Sequence, residues 1–244
     1  MKRDEFARRR RQLMREMGRD AIAILPAAPV RRRNGDTDYP YRQDSDFHFL
    51  TGFPEPEAVA VLIPLRAEGE YVLFCRERDP ARELWDGDRA GQDGAVERYG
   101  ADDAFPIGDI DEILPGLLES RARVCHTMGL NPEFDQRVIG WVNGLRAQAK
   151  QGLHTPQEFV ALDHLLHDMR LYKSRPELDT MRRSAAIAVA GLALAWAAPV
   201  RPVSASPADF DGDGLDDAAS LFPSIFYILK GTTGKDIIAK DCTW

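Results

Sequence analysis

Cysteine is scarce. The chain has three, Cys75, Cys125 and Cys242, scattered and without a CxxC pair. That pattern excludes a disulfide framework and makes a reducing cytoplasm the expected compartment. Of five histidines only His164 and His167 lie one helical turn apart, and no HExxH accompanies them. The majority reading of that pair is a helix surface, with a zinc pair as the alternative. A GxSxG elbow and a phosphate-cradling glycine motif are both missing, which removes the usual serine-hydrolase and nucleotide-binding readings. The start, MKRDEFARRRRQL, has no apolar core and does not read as a signal peptide. Positive charge is not in excess: 32 Lys and Arg stand against 39 Asp and Glu, a net charge of -7. A nucleic-acid partner is therefore not expected, in spite of the runs Arg8 to Arg11 and Arg31 to Arg33. Glu5, Glu16 and Asp20 interrupt the first run at helical spacing, so it reads as a solvated helix face.

What is present is an alternation of strands and helices. The 244 residues allow one large domain or two small ones. Residues 4–17 read as an amphipathic helix, stopped by Gly18, and 20–26 as a buried strand. Strands are expected at 57–64, 70–77 and 122–129, and helices at 80–86, 109–120 and 131–149. Pro115 weakens the second of these helices. The third carries Asn131 as N-cap and Pro132 at its first position. The fold class is a layered α/β domain. Cys125 falls in an apolar strand and is expected to be inert core.

Residues 36–58, DTDYPYRQDSDFHFLTGFPEPEA, set four aspartates (Asp36, Asp38, Asp44, Asp46) and five aromatics around Arg42. A metal site is the minority reading. Asp favours loops because its carboxylate binds nearby backbone N–H groups. Pro40, Pro54 and Pro56 fix backbone angles, Tyr39, Tyr41, Phe47, Phe49 and Phe53 supply apolar anchors, and Arg42 is a candidate to clamp a carboxylate.

The same stretch resembles the N-terminal domain of Xaa-Pro aminopeptidases (aminopeptidase P). The resemblance continues through ELWDGDRAGQDGA at 83–95 and HDMRLYKSRPELDTMRRSAAIA at 167–188, so it covers roughly residues 1–190. It implies a creatinase-type N-terminal domain at 1–172, with a mixed β-sheet flanked by helices, and the first helix of a catalytic domain at 173–190. In the full enzymes a "pita-bread" domain follows. It carries two metal ions, usually manganese, on two Asp, one His and two Glu, and removes an N-terminal residue that precedes proline. None of those ligand motifs is found after residue 190. The expectation is a chain reduced to the N-terminal domain, inactive alone, serving association or substrate gating. Its expected partners are further copies of itself or a missing catalytic domain. By the same resemblance Asp36 and Trp85 border substrate in a neighbouring subunit.

Residues 191–244 read as an unrelated, poorly ordered tail. From Met181 the sequence MRRSAAIAVAGLALAWAAPVRPVSASPA has signal-peptide architecture, with Val203-Ser204-Ala205 as an A-x-A-like site, although it is internal. Core-seeking helix, cryptic signal and membrane anchor are the three readings, and the apolar run is short for a membrane span. Asp209, Asp211, Asp213 and Asp217 follow the spacing of a calcium loop, but Ser220 stands where a bidentate Glu is needed. The loop also resembles those of FG-GAP-type propeller repeats. The alternative function is therefore a calcium-dependent or membrane-associated binding protein.

Overall fold

The computed structural model describes residues 3–148 and 154–197, together with three strands between residues 218 and 239. The chain divides into two units, 1–182 and 183–244.

The first unit is built on a six-stranded sheet, ordered β6-β5-β4-β1-β7-β8. Its centre is β1 (Ala21–Pro26), paired antiparallel with β4 (Val59–Leu62) and parallel with β7 (Arg123–Cys125). On one flank β5 (Tyr71–Cys75) joins β4 antiparallel and carries β6 (Asp103–Pro106) in parallel; on the other, β8 (Glu158–Val160) runs parallel to β7. The sheet is thus mixed. Successive side chains of a strand point to opposite faces, and both faces here are apolar. Ala21, Ala23, Ala60, Leu62 and Leu73 make one face. Ile22, Ile24, Val59, Val61 and Val72 make the other.

Helices cover both. The alanine-rich face meets α1 (Arg3–Met17) through Leu13, Met14 and Met17, α2 (Ser45–Thr51) through Phe47 and Leu50, and α7 (Leu162–Leu171) through Leu162 and Leu166. The branched face meets α5 (Ile110–Leu118) and α6 (Pro132–Gln148), through Ile110 and Leu114 and through Phe134, Val138 and Trp141. Two short helices, α3 (Pro80–Asp86) and α4 (Gly91–Glu97), lie between β5 and β6. The expected cap of α6 is present: Phe134 N donates to Asn131 Oδ1 at 3.2 Å. Helix α5 runs through Pro115, because Ile110, Leu114 and Leu118 lock its apolar face into the core.

One reading holds only in part. The arginine run on α1 is a solvated face at Arg8 and Arg11 but not at its centre. Arg9 and Arg10 are 2% and 5% exposed. Arg9 Nη1 donates to the Phe49 carbonyl at 2.9 Å, and Arg10 donates to the carbonyls of Leu50 at 3.0 Å and Gly100 at 3.3 Å. Both guanidinium groups lie over rings, Phe49 at 4.1 Å and Tyr71 at 4.0 Å. The strand expected at 122–129 also ends early, at Cys125, and gives way to a turn at Gly129.

Helix α8 (Arg175–Ala197) covers the expected 173–190 helix and continues beyond it. Ile187, Val189 and Leu192 are exposed along it. In the second unit β9 (Ala218–Phe222), β10 (Ile225–Leu229) and β11 (Ile237–Ala239) form an antiparallel sheet, ordered β11-β10-β9. The signal-like site at 203–205 and the calcium candidates Asp209, Asp211, Asp213 and Asp217 lie outside the described residues. Among the described residues no helix is long and apolar enough to cross a membrane.

Candidate functional site

The stretch 36–58 is where sequence density is highest, and local chemistry shapes it. A small hairpin opens it, β2 (Arg32–Asn34) against β3 (Thr37–Asp38), with Gly35 and Asp36 at the tip. All of the hairpin is exposed. Asp36 accepts from the Thr37 hydroxyl at 3.4 Å, and Asp38 stands 4.0 Å from Arg32. Helix α2 follows. Asp44 is its N-cap, its carboxylate accepting from Asp46 N at 2.9 Å and Phe47 N at 2.8 Å. Gly52 closes it at φ 66°, a conformation that disfavours a side chain. A Cβ there would also stand 2.6 Å from the Phe6 ring.

The expected clamp by Arg42 is not found: Arg42 is exposed and, among the described residues, has no ion pair. Its neighbour Gln43 takes the organising role. Gln43 Oε1 accepts from Ala28 N, Asp44 N and the Tyr41 hydroxyl, each at 2.9 Å. Its Nε2 donates to the carbonyls of Glu55 at 2.8 Å and Phe53 at 3.3 Å. A neutral amide wins here because the loop offers acceptors and donors side by side, and only an amide presents both. Phe47, Phe49 and Phe53 are buried as expected, while Tyr39 is 55% exposed and rests near the Arg33 guanidinium. The four aspartates do not converge. Asp46 instead pairs with Arg170 and, at 3.7 Å, with His167. From Tyr41 to Glu55 the segment's polar groups bond largely to its own backbone.

Trp85 sits on α3, 89% exposed, beside Leu84 at 84%. The helix that carries it is firmly held. Asp79 caps it, accepting from Ala81 N and Arg82 N, with Pro80 in the first turn. Arg78 reaches Glu83 with two hydrogen bonds at 3.0 and 3.1 Å, and those bonds hold the Glu83 carboxyl below its ordinary range. Glu55 supports the returning chain, accepting from Ala90 N at 2.7 Å and standing 3.5 Å from Arg76. Asp36 and Trp85 share no contact, so each presents itself to solvent on its own element.

A cleft of about 420 Å³ opens beside α2, lined in part by Arg9, Arg42, His48, Arg170, Lys173 and Glu177. Burial, then the neighbouring Arg9, lowers the pKa of His48. Among the described residues no group of three or more His, Cys, Asp or Glu is placed to hold a metal ion. They therefore do not fit a two-metal centre of five such ligands. His164 has its Nδ1 on the Ala161 carbonyl at 2.9 Å. Burial pushes the thiols of Cys75 and Cys125 up, to about 12 and about 11, leaving almost no nucleophilic thiolate at neutral pH.

A mixed sheet flanked by helices on both faces, with an exposed hairpin and an exposed tryptophan, defines the class of α/β domain. Residues 6–126 match the aminopeptidase P, N-terminal domain family. The chain is 40% identical over 186 residues to Xaa-Pro aminopeptidase of Escherichia coli, an alignment covering 76% of this chain and 42% of the relative. A solved aminopeptidase of Pseudomonas aeruginosa overlays with TM-score 0.73 at 66% identity, over 75% of this chain and 41% of that one. Zinc-substituted aminopeptidase P of Escherichia coli, solved in complex with product, gives 0.71 at 40% identity, over 75% and 42%. This chain carries the N-terminal domain of the aminopeptidase P family, and it spans less than half the length of these relatives.

Proposed function

We propose that the chain serves metal-dependent removal of an N-terminal residue preceding proline, as the part that associates and gates substrate rather than the part that hydrolyses. The hairpin tip at Asp36 and the indole of Trp85 would border substrate in an active site built by other polypeptide, either a neighbouring copy or a catalytic domain that holds the metal, manganese by resemblance. The carrying observation is the adjacent pair Leu84 and Trp85, two large apolar side chains held in water on a helix tied at its start and through Glu83. Rigid exposed apolar surface of this kind marks a contact site. A reducing cytoplasm is the compartment that fits the two buried free thiols.

Two measurements on the purified chain test this. Sedimentation should show self-association that Trp85→Ala weakens by about tenfold, since buried tryptophans dominate such contacts. A clean monomer at high concentration, unchanged by the substitution, sinks the association. With manganese added, Xaa-Pro peptides should release no N-terminal residue. Turnover that follows the protein through purification and disappears with a chelator sinks the non-hydrolytic role.

A further inference from the structure

Helix α8 leaves the first unit with almost nothing buried. Between residues 175 and 193 every position is solvent-exposed except Glu177. Tyr172, in the short connection from α7, is 84% exposed as well. A helix with no buried apolar face has its direction set by whatever polar tie it makes.

Glu177 makes two. Its Oε2 accepts from Ser174 N at 2.8 Å, one half of the S-x-x-E capping pattern at the helix start. Its Oε1 stands 3.3 Å from Nη2 of the buried Arg9. Arg9 is itself fixed in the sheet domain by the Phe49 carbonyl, the Phe49 ring and, at 3.5 Å, Glu5. One carboxylate thus both bonds the first turn of α8 and pairs it with a buried cation of the sheet domain. Glu5 is locked in turn by Arg8, with hydrogen bonds at 2.7 and 3.2 Å.

We infer that Glu177 is a positioning residue: through Arg9 it orients the first turns of α8 against the sheet domain. The consequence for substrate handling rests on the function proposed above, but the joint itself does not. It also moves the functional edge of the sheet domain from residue 172 into the first turns of α8. A fragment ending at 172 removes the only carboxylate from α8 that reaches Arg9 among the described residues.

The test uses the full chain with Cys242→Ser and spin labels at Arg15→Cys and Met181→Cys; Cys75 and Cys125 are buried and stay unlabelled. Pulsed dipolar spectroscopy should give one narrow distance in this parent. Glu177→Gln keeps an acceptor for Ser174 N, because a Gln side-chain carbonyl serves at that position, and removes the charge. It should broaden the distribution roughly twofold and expose the Lys173–Ser174 bond to trypsin several-fold faster, as expected when a local tie is lost. Glu177→Ala should do the same or more. If Glu177→Gln keeps the parent's narrow distance and slow cleavage, the ion pair does not orient the helix. That outcome overturns the inference even if Glu177→Ala broadens it, since the cap alone would then be responsible. Peptide turnover is not read, so the joint and the proposed function fail separately.

Discussion

Arg9 and Arg10 on α1 and Arg31 to Arg33 at the β2–β3 hairpin are runs of the same residue, and the molecule treats them oppositely. The first pair is buried; the second run is wholly exposed. The difference lies in what waits for the guanidinium. Phe49 and Leu50 sit in the last turn of α2, where backbone carbonyls lack helical partners and the helix dipole is negative. Arg9 and Arg10 donate to them and so give those carbonyls partners. Glu5, Glu177 and the rings of Phe49 and Tyr71 complete the surroundings. The hairpin offers its arginines one carboxylate at 4.0 Å and one ring at 6.0 Å, both open to water. Charge is buried where acceptors have been gathered beforehand, and stays out where they have not.

The comparison breaks most sharply at Arg9. Arg9→Ala should lower stability by about 3–5 kcal/mol, the usual cost of removing one partner from a buried ion pair. Arg9→Lys should recover less than half of that, because an ammonium cannot reproduce the planar fork. Thermal and urea unfolding measure both, and a loss no larger than that of a surface substitution contradicts the account.

Gln43→Ala sharpens the contrast between buried and exposed polarity without charge. It removes an amide that joins five hydrogen bonds. The expected loss is about 2–3 kcal/mol, from backbone groups left unsatisfied. Arg42→Ala, next to it and exposed, should change stability by less than about 0.5 kcal/mol. Equal effects at 42 and 43 are the result that fails.

Glu5 supplies a pH dependence. Hydrogen bonds from Arg8 lower its carboxyl from 4.5 to about 2, aided by the Ser174 hydroxyl and the charges of Arg8 and Arg9 and opposed by burial. A carboxyl depressed by folding stabilises the native state above its unfolded pKa, and that contribution is lost as pH falls through the folded value. The stability gap between the parent and Glu5→Gln should therefore be level above about pH 5. It should shrink between 4.5 and about 2. A gap independent of pH across that window rules the contribution out.

The smallest effect belongs to the hairpin. Replacing Arg31, Arg32 and Arg33 together by alanine should move stability by less than about 0.5 kcal/mol. If these side chains matter, sedimentation will show it in self-association and not in unfolding.

Much of the scaffold was legible before any coordinates. Strand β1 and its neighbours announced themselves as short apolar runs, and α6 carried its cap, its proline and its helical spacing of Phe134, Val138 and Trp141. Helix α2 was missed although its signal was present: Asp44 before SDFHFLT and Gly52 after it. The surrounding prolines and aromatics made the whole stretch read as loop. Strands β6 and β8 are four and three residues long, too short for alternation to register. Asp36 and Trp85 are both exposed, and the substrate-bordering role expected of them comes from the resemblance and not from spacing.

Periodicity, caps and turn residues act within a few positions along the chain, so the sequence alone determined where the longer helices and the core strands lie. The strand order, the parallel pairing of β1 with β7, the hub at Gln43 and the burial of Arg9 were decided only in three dimensions. Each depends on acceptors or partners brought from distant segments, as when Glu177 meets Arg9. A guanidinium has no burial preference of its own that survives the presence or absence of those partners.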